Sequence, residues 1–277
     1  MGGVALVLGG GGPVGGAWLT GVLAGLADAG VDLARADVVI GTSAGAVFGT
    51  RLAHGEPPRE LYERQLTGAD RLLLDVTTAQ TLRFLWAALG SRDPERSIRR
   101  LGRAALGARS GADALTLVRQ VLRGAEDWPA RDLRLAAVNA RTGVVATHGS
   151  DSGLTMVEAV AASCAVPLVL APVAGAGQRW MDGGTRSTAN LQLARGYERV
   201  LAVAPVDTAV GPHPSASRQA NGLTAEGAAV SLLIPDAASS PAMGRDLTSD
   251  AHRMAAALAG HAQATKAAEA VGAAWQG

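Results

Sequence analysis

The sequence has very little of two residues that usually carry chemistry or cross-links. It contains one cysteine, Cys164, so an internal disulfide bond is excluded and a reducing compartment is indicated. It also contains one lysine, Lys266, because arginine accounts for nearly all of the 25 basic residues. A lysine is therefore almost excluded as a catalytic base.

Long apolar runs and a strong net charge are missing as well. No stretch of about 18 apolar residues occurs, so no transmembrane helix is predicted. The first residues carry no positive segment and glycines interrupt the apolar stretch that follows, so no signal peptide is predicted. The formal net charge of +1 gives no electrostatic reason to expect a nucleic-acid partner. A cytoplasmic protein is expected.

The first fifty or so residues show an alternation of predicted apolar strands and helices. Strands at 4–8 and 37–40 are each followed by a helix, at 17–29 and up to residue 53. Strand, helix, strand and helix within fifty residues predict a parallel sheet with crossover helices, which is the α/β class.

The rest of the chain is expected to complete one domain over residues 1–277. Residues 56–130 are Arg-rich and show no convincing strand, so they are predicted to form a helical insertion or lid over one edge of the sheet. Residues 207–277 are expected to be a loop followed by a C-terminal helix. The remaining predicted elements are a hairpin at 133–147, a helix at 155–163, strands at 178–181 and 199–204, a loop at 207–225 and an Ala-rich helix at 243–274.

Four consecutive glycines follow the first strand in the stretch "LGGGGPVGG". The spacing matches G-x-G-x-x-G between a strand and a helix, as in a dinucleotide-binding turn. That fold needs an acidic residue after the second strand, which here ends in Gly-Thr-Ser, and a phosphate-binding P-loop needs a lysine that is missing. Backbone N–H groups at such a turn also suit a transient oxyanion. An anion site is predicted, with a non-catalytic nucleotide-binding protein as one alternative.

The second strand leads into "GTSAG", which has the form G-x-S-x-G with Ser43 at its centre. This pattern between a strand and a helix is typical of a nucleophile elbow, where Gly41 and Gly45 must be small because the turn is sharp. An ordinary serine at a helix N-cap is the simpler alternative. The strand–helix context and the glycine loop one strand earlier favour the nucleophile.

A nucleophilic serine needs a group that accepts its proton. Chain order leaves His252 or His261 open as part of a Ser-His-Asp triad, although an elbow after only two strands argues against the α/β-hydrolase fold. Asp182 in "WMDGG" ends a short predicted strand, and the following glycines permit close backbone approach. Burial would raise the pKa of this carboxyl group and suit it to act as a base. A plain Asp-Gly turn is the alternative at this position.

The stretches "GGGGPVGG", "GTSAG" and "DGG", in that order, resemble the patatin-like phospholipase family of the bacterial type. The segment "ASCAVPLVLAPV" is also similar to the family's segment between a helix and the catalytic strand. The resemblance extends from about residue 4 to residue 206. It implies a three-layer α/β/α fold with a mainly parallel central sheet, and hydrolysis of acyl esters of lipids.

The resemblance also assigns roles. It implies that Ser43 is the nucleophile, that Asp182 is its base, and that the backbone N–H groups of Gly10, Gly11 and Gly12 form the oxyanion hole. It implies no metal and no organic cofactor. The expected partner is a lipid or another acyl ester, and the oligomeric state is not predicted.

One position departs from the family pattern, because Val14 stands where an arginine or lysine is usual. That change removes a fixed positive charge and bears on the preference for a phospholipid headgroup more than on ester hydrolysis. Phe84 and Trp86 in the insertion are predicted to be core residues. The arginines of the insertion give two alternatives, a solvated helix face or peripheral contact with an anionic membrane; they are Arg92, Arg96, Arg99, Arg100, Arg103 and Arg109.

Overall fold

A central sheet organises the protein in the computed structural model, which describes residues 2–71, 76–108 and 113–276. The strands are β1 (Val4–Leu8), β2 (Val38–Gly41), β3 (Asp132–Asn139), β4 (Val145–His148), β5 (Val173–Gly175), β6 (Gln178–Asp182), β7 (Arg199–Val203) and β8 (Ala229–Leu233). The helices are α1 (Gly12–Asp28), α2 (Ala44–Ala53), α3 (Pro58–Thr67), α4 (Thr78–Leu89), α5 (Pro94–Gly107), α6 (Ala114–Leu122), α7 (Met156–Cys164), α8 (Ala216–Ala225), α9 (Ser239–Met243) and α10 (Arg253–Gln276).

The strand order is β5-β6-β3-β2-β1-β7-β8, and β4 pairs with β3. Strands β3, β2, β1, β7 and β8 are parallel to one another, whereas β4, β5 and β6 join by antiparallel pairing. The predicted α/β class with a mainly parallel sheet is therefore confirmed, and so is the hairpin, since β3 and β4 are antiparallel.

Helices cover both faces of the sheet, so the molecule has three layers. Successive residues of a strand point to opposite faces: Leu6 and Leu8 belong to the larger apolar core, and Ala5 and Val7 to the second core. The larger core contains buried residues of α1, α2, α6, α7 and α10. The second contains buried residues of α8. Burial on both faces explains why β1 is apolar throughout.

The helices α1 and α10 pack very closely against each other. A Cβ atom built at Gly21 would lie 2.1 Å from the carbonyl oxygen of Ala257, and one at Gly260 would lie 2.2 Å from that of Trp18. No side chain fits at these distances, so glycine is required where the two backbones meet.

Several predicted boundaries were wrong. The first helix begins at Gly12, five residues early, because Pro13 occupies its first turn, where a missing N–H costs no hydrogen bond. The predicted loop at 207–225 contains α8, whose N-cap Ser215 accepts a hydrogen bond from the N–H of Arg218. The strand β8 was not predicted, and the helix expected from residue 243 begins at Arg253.

The described part of residues 56–130 forms the helices α3 to α6. Trp86 was predicted to lie in the core, but 75% of its surface is exposed. Arg109 lies outside the described residues. Among the residues described, no helix is both long and apolar enough to cross a bilayer.

Candidate active site

Ser43 lies on a strained turn between β2 and α2. Its backbone has φ 54° and ψ −118°, a conformation that costs a non-glycine residue energy and is maintained only by surrounding structure. A Cβ atom at Gly45 would lie 2.1 Å from the carbonyl oxygen of Leu8, and one at Gly41 would lie 2.7 Å from the Cα of Ala46. The sharp turn therefore requires glycine at both positions.

The sheet brings this turn to Asp182. Strands β2 and β6 lie on either side of β3, where Gly41 is opposite Leu135 and Asp182 is opposite Ala137. The hydroxyl of Ser43 donates a hydrogen bond to Oδ2 of Asp182 at 2.8 Å. The two residues are 139 positions apart in the sequence, and β3 is the element that places them together.

Both oxygens of the Asp182 carboxyl group are occupied. Oδ2 accepts the bond from Ser43, and Oδ1 accepts one from the N–H of Gly184 at 2.6 Å. Only 4% of the residue is exposed. Burial raises the pKa of Asp182 to about 6, and the two hydrogen bonds oppose that rise. The group is therefore mostly a carboxylate at neutral pH, and its pKa is close to the range that suits a general base.

Cys164 lies beside the same serine, but its thiol is unsuited to be a nucleophile. Its Sγ donates to the backbone oxygen of Ser43 at 3.3 Å. Burial, with a smaller effect of the Asp182 charge, raises the pKa of Cys164 well above its usual value. The thiol is therefore protonated at neutral pH.

The glycine loop differs from the predicted arrangement at one residue. The N–H of Gly10 donates to the carbonyl oxygen of Thr188 at 2.7 Å, so it is occupied and unavailable as an oxyanion donor in this conformation. Glycine at position 10 instead allows the glycine loop to lie against Ser43, because a Cβ atom at this position would lie 2.9 Å from the Cβ of Ser43. The N–H groups of Gly11 and Gly12 have no hydrogen-bond partner among the described residues.

Val14, where the resemblance leads one to expect a basic residue, is not among the residues that line the space next to Ser43. Its side chain is fully buried in the larger core, and its N–H donates to the carbonyl oxygen of Leu247 at 3.2 Å. A charged side chain in this core would have to be desolvated. The apolar residue at this position is explained by its packing.

Two buried polar residues that the sequence did not single out hold the site in place. The hydroxyl of Ser163 accepts a hydrogen bond from the N–H of Ser43 at 3.0 Å. The side-chain amide of Asn190 donates to the Thr42 hydroxyl and to the carbonyl oxygen of Gly183, both at 3.2 Å. Asn190 thereby connects the serine turn to the Asp182 turn. Ser163 lies in the stretch "ASCAVPLVLAPV", but its role was not predicted, and no local motif marks Asn190.

The described residues do not form the alternative Ser-His-Asp triad with His252 or His261. All five histidines are described, and none forms a hydrogen bond with Ser43 or Asp182. The Nε2 of His261 is 2.9 Å from Oδ2 of Asp28, which is the last residue of α1, whereas the glycine loop beside Ser43 lies at the start of that helix. His252 is exposed beside Gly244.

An apolar pocket lies next to Ser43 and is partly open to solvent. The apolar side chains that line it come from α2, α6 and the segment after α7; they are Val47, Phe48, Leu117, Val118, Val121, Val166 and Leu170. The ion pair of Arg51 with Asp70, at 2.7 Å, and Arg253 add a charged part to its lining. The pocket can hold a hydrocarbon chain whose reacting end lies at the serine.

The fold is α/β, with a strained serine turn at the carboxyl end of a parallel strand. The chain belongs to the patatin-like phospholipase family: the sequence model described as "Patatin-like phospholipase" matches residues 6–195. No curated protein sequence matches the chain significantly.

Two solved structures are similar to the chain at low sequence identity. VipD from Legionella pneumophila is 15% identical, with a TM-score of 0.40 over 66% of this chain and 46% of its own. The type III effector protein ExoU is 16% identical, with a TM-score of 0.44 over 97% of this chain and 53% of its own. The chain therefore spans about half of the length of these structures.

Proposed function

We propose that the protein hydrolyses acyl esters of lipids, with Ser43 as the nucleophile and Asp182 as its base. The observation that carries this proposal is the hydrogen bond of 2.8 Å from the Ser43 hydroxyl to Asp182 Oδ2. The positive φ of Ser43 and the burial of Asp182 support it, because both are strained or costly features that a structural role alone does not need.

The first half of the reaction acylates the serine. Asp182 takes the hydroxyl proton as the Ser43 oxygen attacks the ester carbonyl carbon and forms a C–O bond. The tetrahedral intermediate carries its negative charge on the former carbonyl oxygen. When the bond to the alcohol oxygen breaks, protonated Asp182 returns the proton to the leaving alkoxide.

The second half removes the acyl group. Asp182 takes a proton from a water molecule, whose oxygen attacks the acyl carbon. The bond to the Ser43 oxygen then breaks, and the proton returns to the serine. The products are a free fatty acid and regenerated enzyme.

The negative charge of both intermediates requires hydrogen-bond donors. We assign this role to the N–H groups of Gly11 and Gly12, since the N–H of Gly10 is bonded to Thr188. Gly12 is the first residue of α1, and the positive end of the helix dipole adds to the stabilisation. Each such donor contributes roughly 3 kcal/mol in enzymes from which one has been removed.

The apolar pocket is assigned to the acyl chain. Leu117, Val118 and Val121 of α6 form part of its wall, so the helices of residues 56–130 act as a cover over the substrate. A substrate that is part of a bilayer has to be reached at the membrane surface, so peripheral membrane contact is part of the proposal.

The test is labelling and turnover in the same preparations. A fluorophosphonate should label the wild-type protein at Ser43, and a p-nitrophenyl acyl ester should be hydrolysed. Ser43→Ala should abolish the label and lower turnover roughly a thousandfold or more. Ser240→Ala, which removes an exposed hydroxyl in α9, is the matched control and should change neither. Unchanged turnover in Ser43→Ala would overturn the proposal.

A further inference from the structure

The helix α4 exposes a row of large apolar side chains, the α4 stripe, formed by Leu82, Trp86 and Leu89. Their exposed fractions are 62%, 75% and 61%. Their spacing of four and three residues puts them on one side of the helix. Single exposed leucines are common, but an exposed tryptophan between two exposed leucines forms a continuous apolar surface that marks an interaction site.

A concave surface rich in arginine lies beside this stripe. This arginine pocket is lined by Gly90, Ser91, Arg96, Arg99, Arg100, Arg103 and Arg141. Among the residues that the structure describes, its one ion pair joins Arg99 to Glu95 at 3.4 Å on the exposed surface, where such a pair contributes little. Five arginines therefore line the pocket, and the described carboxylates that act on them are the exposed Glu95 and Asp93. Positive charge exceeds negative charge there, although the whole chain has a net charge of only +1.

Arg100 connects the two surfaces. Its guanidinium carbon lies 4.8 Å from the ring centre of Trp86. Gly90 leaves room for it, because a Cβ atom there would lie 2.4 Å from an Nη atom of Arg100. The Nε of Arg100 is buried and lacks a hydrogen-bond partner within the described part of the chain. As a whole residue Arg100 is only half-buried, and the N–H groups that an arginine presents to solvent bind phosphate oxygens.

We propose that the α4 stripe and the arginine pocket together form a docking surface for a bilayer containing anionic phospholipid. The arginines bind the lipid phosphate, and the leucines and tryptophan enter the interfacial region of the bilayer. The apolar stripe favours a membrane over a free phosphate, because a dissolved anion would leave the stripe in water. Apolar side chains beside clustered arginines are the pattern that binds such interfaces.

The surface is joined to the proposed acyl pocket. The side chain of Gln80 in α4 donates to the carbonyl oxygen of Leu168 at 3.0 Å. Leu168 lies between Val166 and Leu170, which line the acyl pocket. Docking through α4 therefore holds this wall of the pocket near the bilayer. This last step rests on the proposed function, whereas the docking itself does not.

Vesicle sedimentation of the 277-residue Ser43→Ala protein tests docking without hydrolysis. We expect binding to vesicles of phosphatidylcholine mixed with phosphatidylglycerol, weaker binding to phosphatidylcholine alone, and loss of binding in high salt. The double variant Arg96→Gln/Arg103→Gln should bind the mixed vesicles roughly thirtyfold more weakly, since each basic residue near the surface contributes about a factor of five. Trp86→Ser should also weaken binding.

The charge-matched control is Arg35→Gln/Arg218→Gln, which removes two exposed arginines outside the pocket and should bind like its parent. Equal binding of mixed vesicles by this control and by Arg96→Gln/Arg103→Gln, the arginine-pocket variant, would overturn the proposal. So would equal binding to both kinds of vesicle, or full displacement by soluble glycerol phosphate, which would indicate a site for a dissolved anion.

Enzyme assays separate this proposal from the proposed function. With Ser43 intact, the arginine-pocket variant Arg96→Gln/Arg103→Gln should hydrolyse a soluble ester at the wild-type rate. It should hydrolyse a vesicle lipid more slowly than the wild type. If the wild-type protein hydrolyses no ester while Ser43→Ala still docks, the proposed function fails and the docking surface stands. If esters are hydrolysed and no variant changes vesicle binding, the docking surface fails.

Discussion

The hydroxyl of Ser163 accepts the backbone N–H of Ser43 at 3.0 Å, so the last turn of α7 supports the strained serine turn from within the core. Ser163 is fully buried and lies 120 positions from Ser43. Without this acceptor the N–H would lose its partner, and the turn could relax.

Replacing Ser163 should therefore affect rate and stability together. In Ser163→Ala the N–H of Ser43 loses its acceptor, and the free energy of unfolding should fall by about 1–3 kcal/mol. We expect kcat for a soluble ester to fall, with KM nearly unchanged, because Ser163 touches the turn and not the pocket. Urea unfolding and steady-state kinetics measure both. Wild-type kcat in a folded Ser163→Ala protein contradicts the positioning role.

Activity should depend on pH through Asp182. The pKa of about 6 means that the base is protonated below that pH and ionised above it. The value of kcat/KM for a soluble ester should therefore rise as the pH increases through about 6 and level off above about 7. A pH–rate profile measures this directly. An acid limb that is retained in the residual activity of Asp182→Asn would point to another group.

The same carboxyl group should make the protein less stable at higher pH. Its pKa in the folded protein, about 6, exceeds the ordinary value of 3.8, so the folded state binds the proton more tightly between these limits. The free energy of unfolding therefore falls as pH rises through this window, by about 3 kcal/mol from this group.

Asp182→Asn removes that pH dependence. The variant should lose roughly a hundredfold or more in turnover, since it has no base, and yet be more stable than the wild type at pH 8. The difference in the free energy of unfolding between variant and wild type should shrink as the pH falls from about 6 toward 3.8, because the carboxyl group of the folded wild type is then already neutral. Urea unfolding at several pH values provides the comparison. A stability difference that is the same at every pH contradicts the raised pKa.

The acyl pocket should respond to chain length. Val121 lines it and is buried, so Val121→Phe narrows the pocket. We expect kcat/KM for long-chain esters to fall by about tenfold or more, while that for acetyl esters stays nearly unchanged. A series of p-nitrophenyl esters measures the profile, and Val144→Phe at an exposed position is the control. A uniform loss for all chain lengths would place the acyl chain elsewhere.

The turn itself should not tolerate a methyl group. Gly45→Ala would put a Cβ atom 2.1 Å from a carbonyl oxygen, so the backbone must shift. A loss of about 3 kcal/mol in unfolding free energy is expected, together with the loss of activity. Gly222→Ala is the matched control, because this glycine is in α8 with no atom within 4 Å of an added Cβ atom. It should be neutral or stabilising by up to about 1 kcal/mol.

Much of the site was predictable because its parts are local. The serine turn is specified by two glycines within two residues of Ser43, and the glycine loop by the strand before it and Pro13 after it. Short-range sterics and helix-end chemistry act over a few residues, so these features are visible in the sequence. The same holds for the alternation of strands and helices that predicts the sheet.

Other features depend on partners far along the chain. The N–H of Gly10 donates to Thr188, whereas the N–H groups of Gly11 and Gly12 have no partner among the described residues. The two bonded residues are 178 positions apart, so no local pattern encodes this difference. The support that Asn190 gives to two turns is of the same kind. Helix α8 was missed because its segment of small and polar residues resembles a loop until the second core stabilises it. No strand was predicted at the apolar run that forms β8.

The sequence by itself determined the family, the strained serine turn and the choice of Ser43 and Asp182, since all of these reside in short motifs. Only the tertiary structure decided that these two side chains meet, which glycine N–H groups lack a partner among the described residues, and that Trp86 faces solvent beside a pocket lined by arginines. Hydrogen bonds and exposure depend on which segments pack together, and that packing is a property of the whole sheet and its helices.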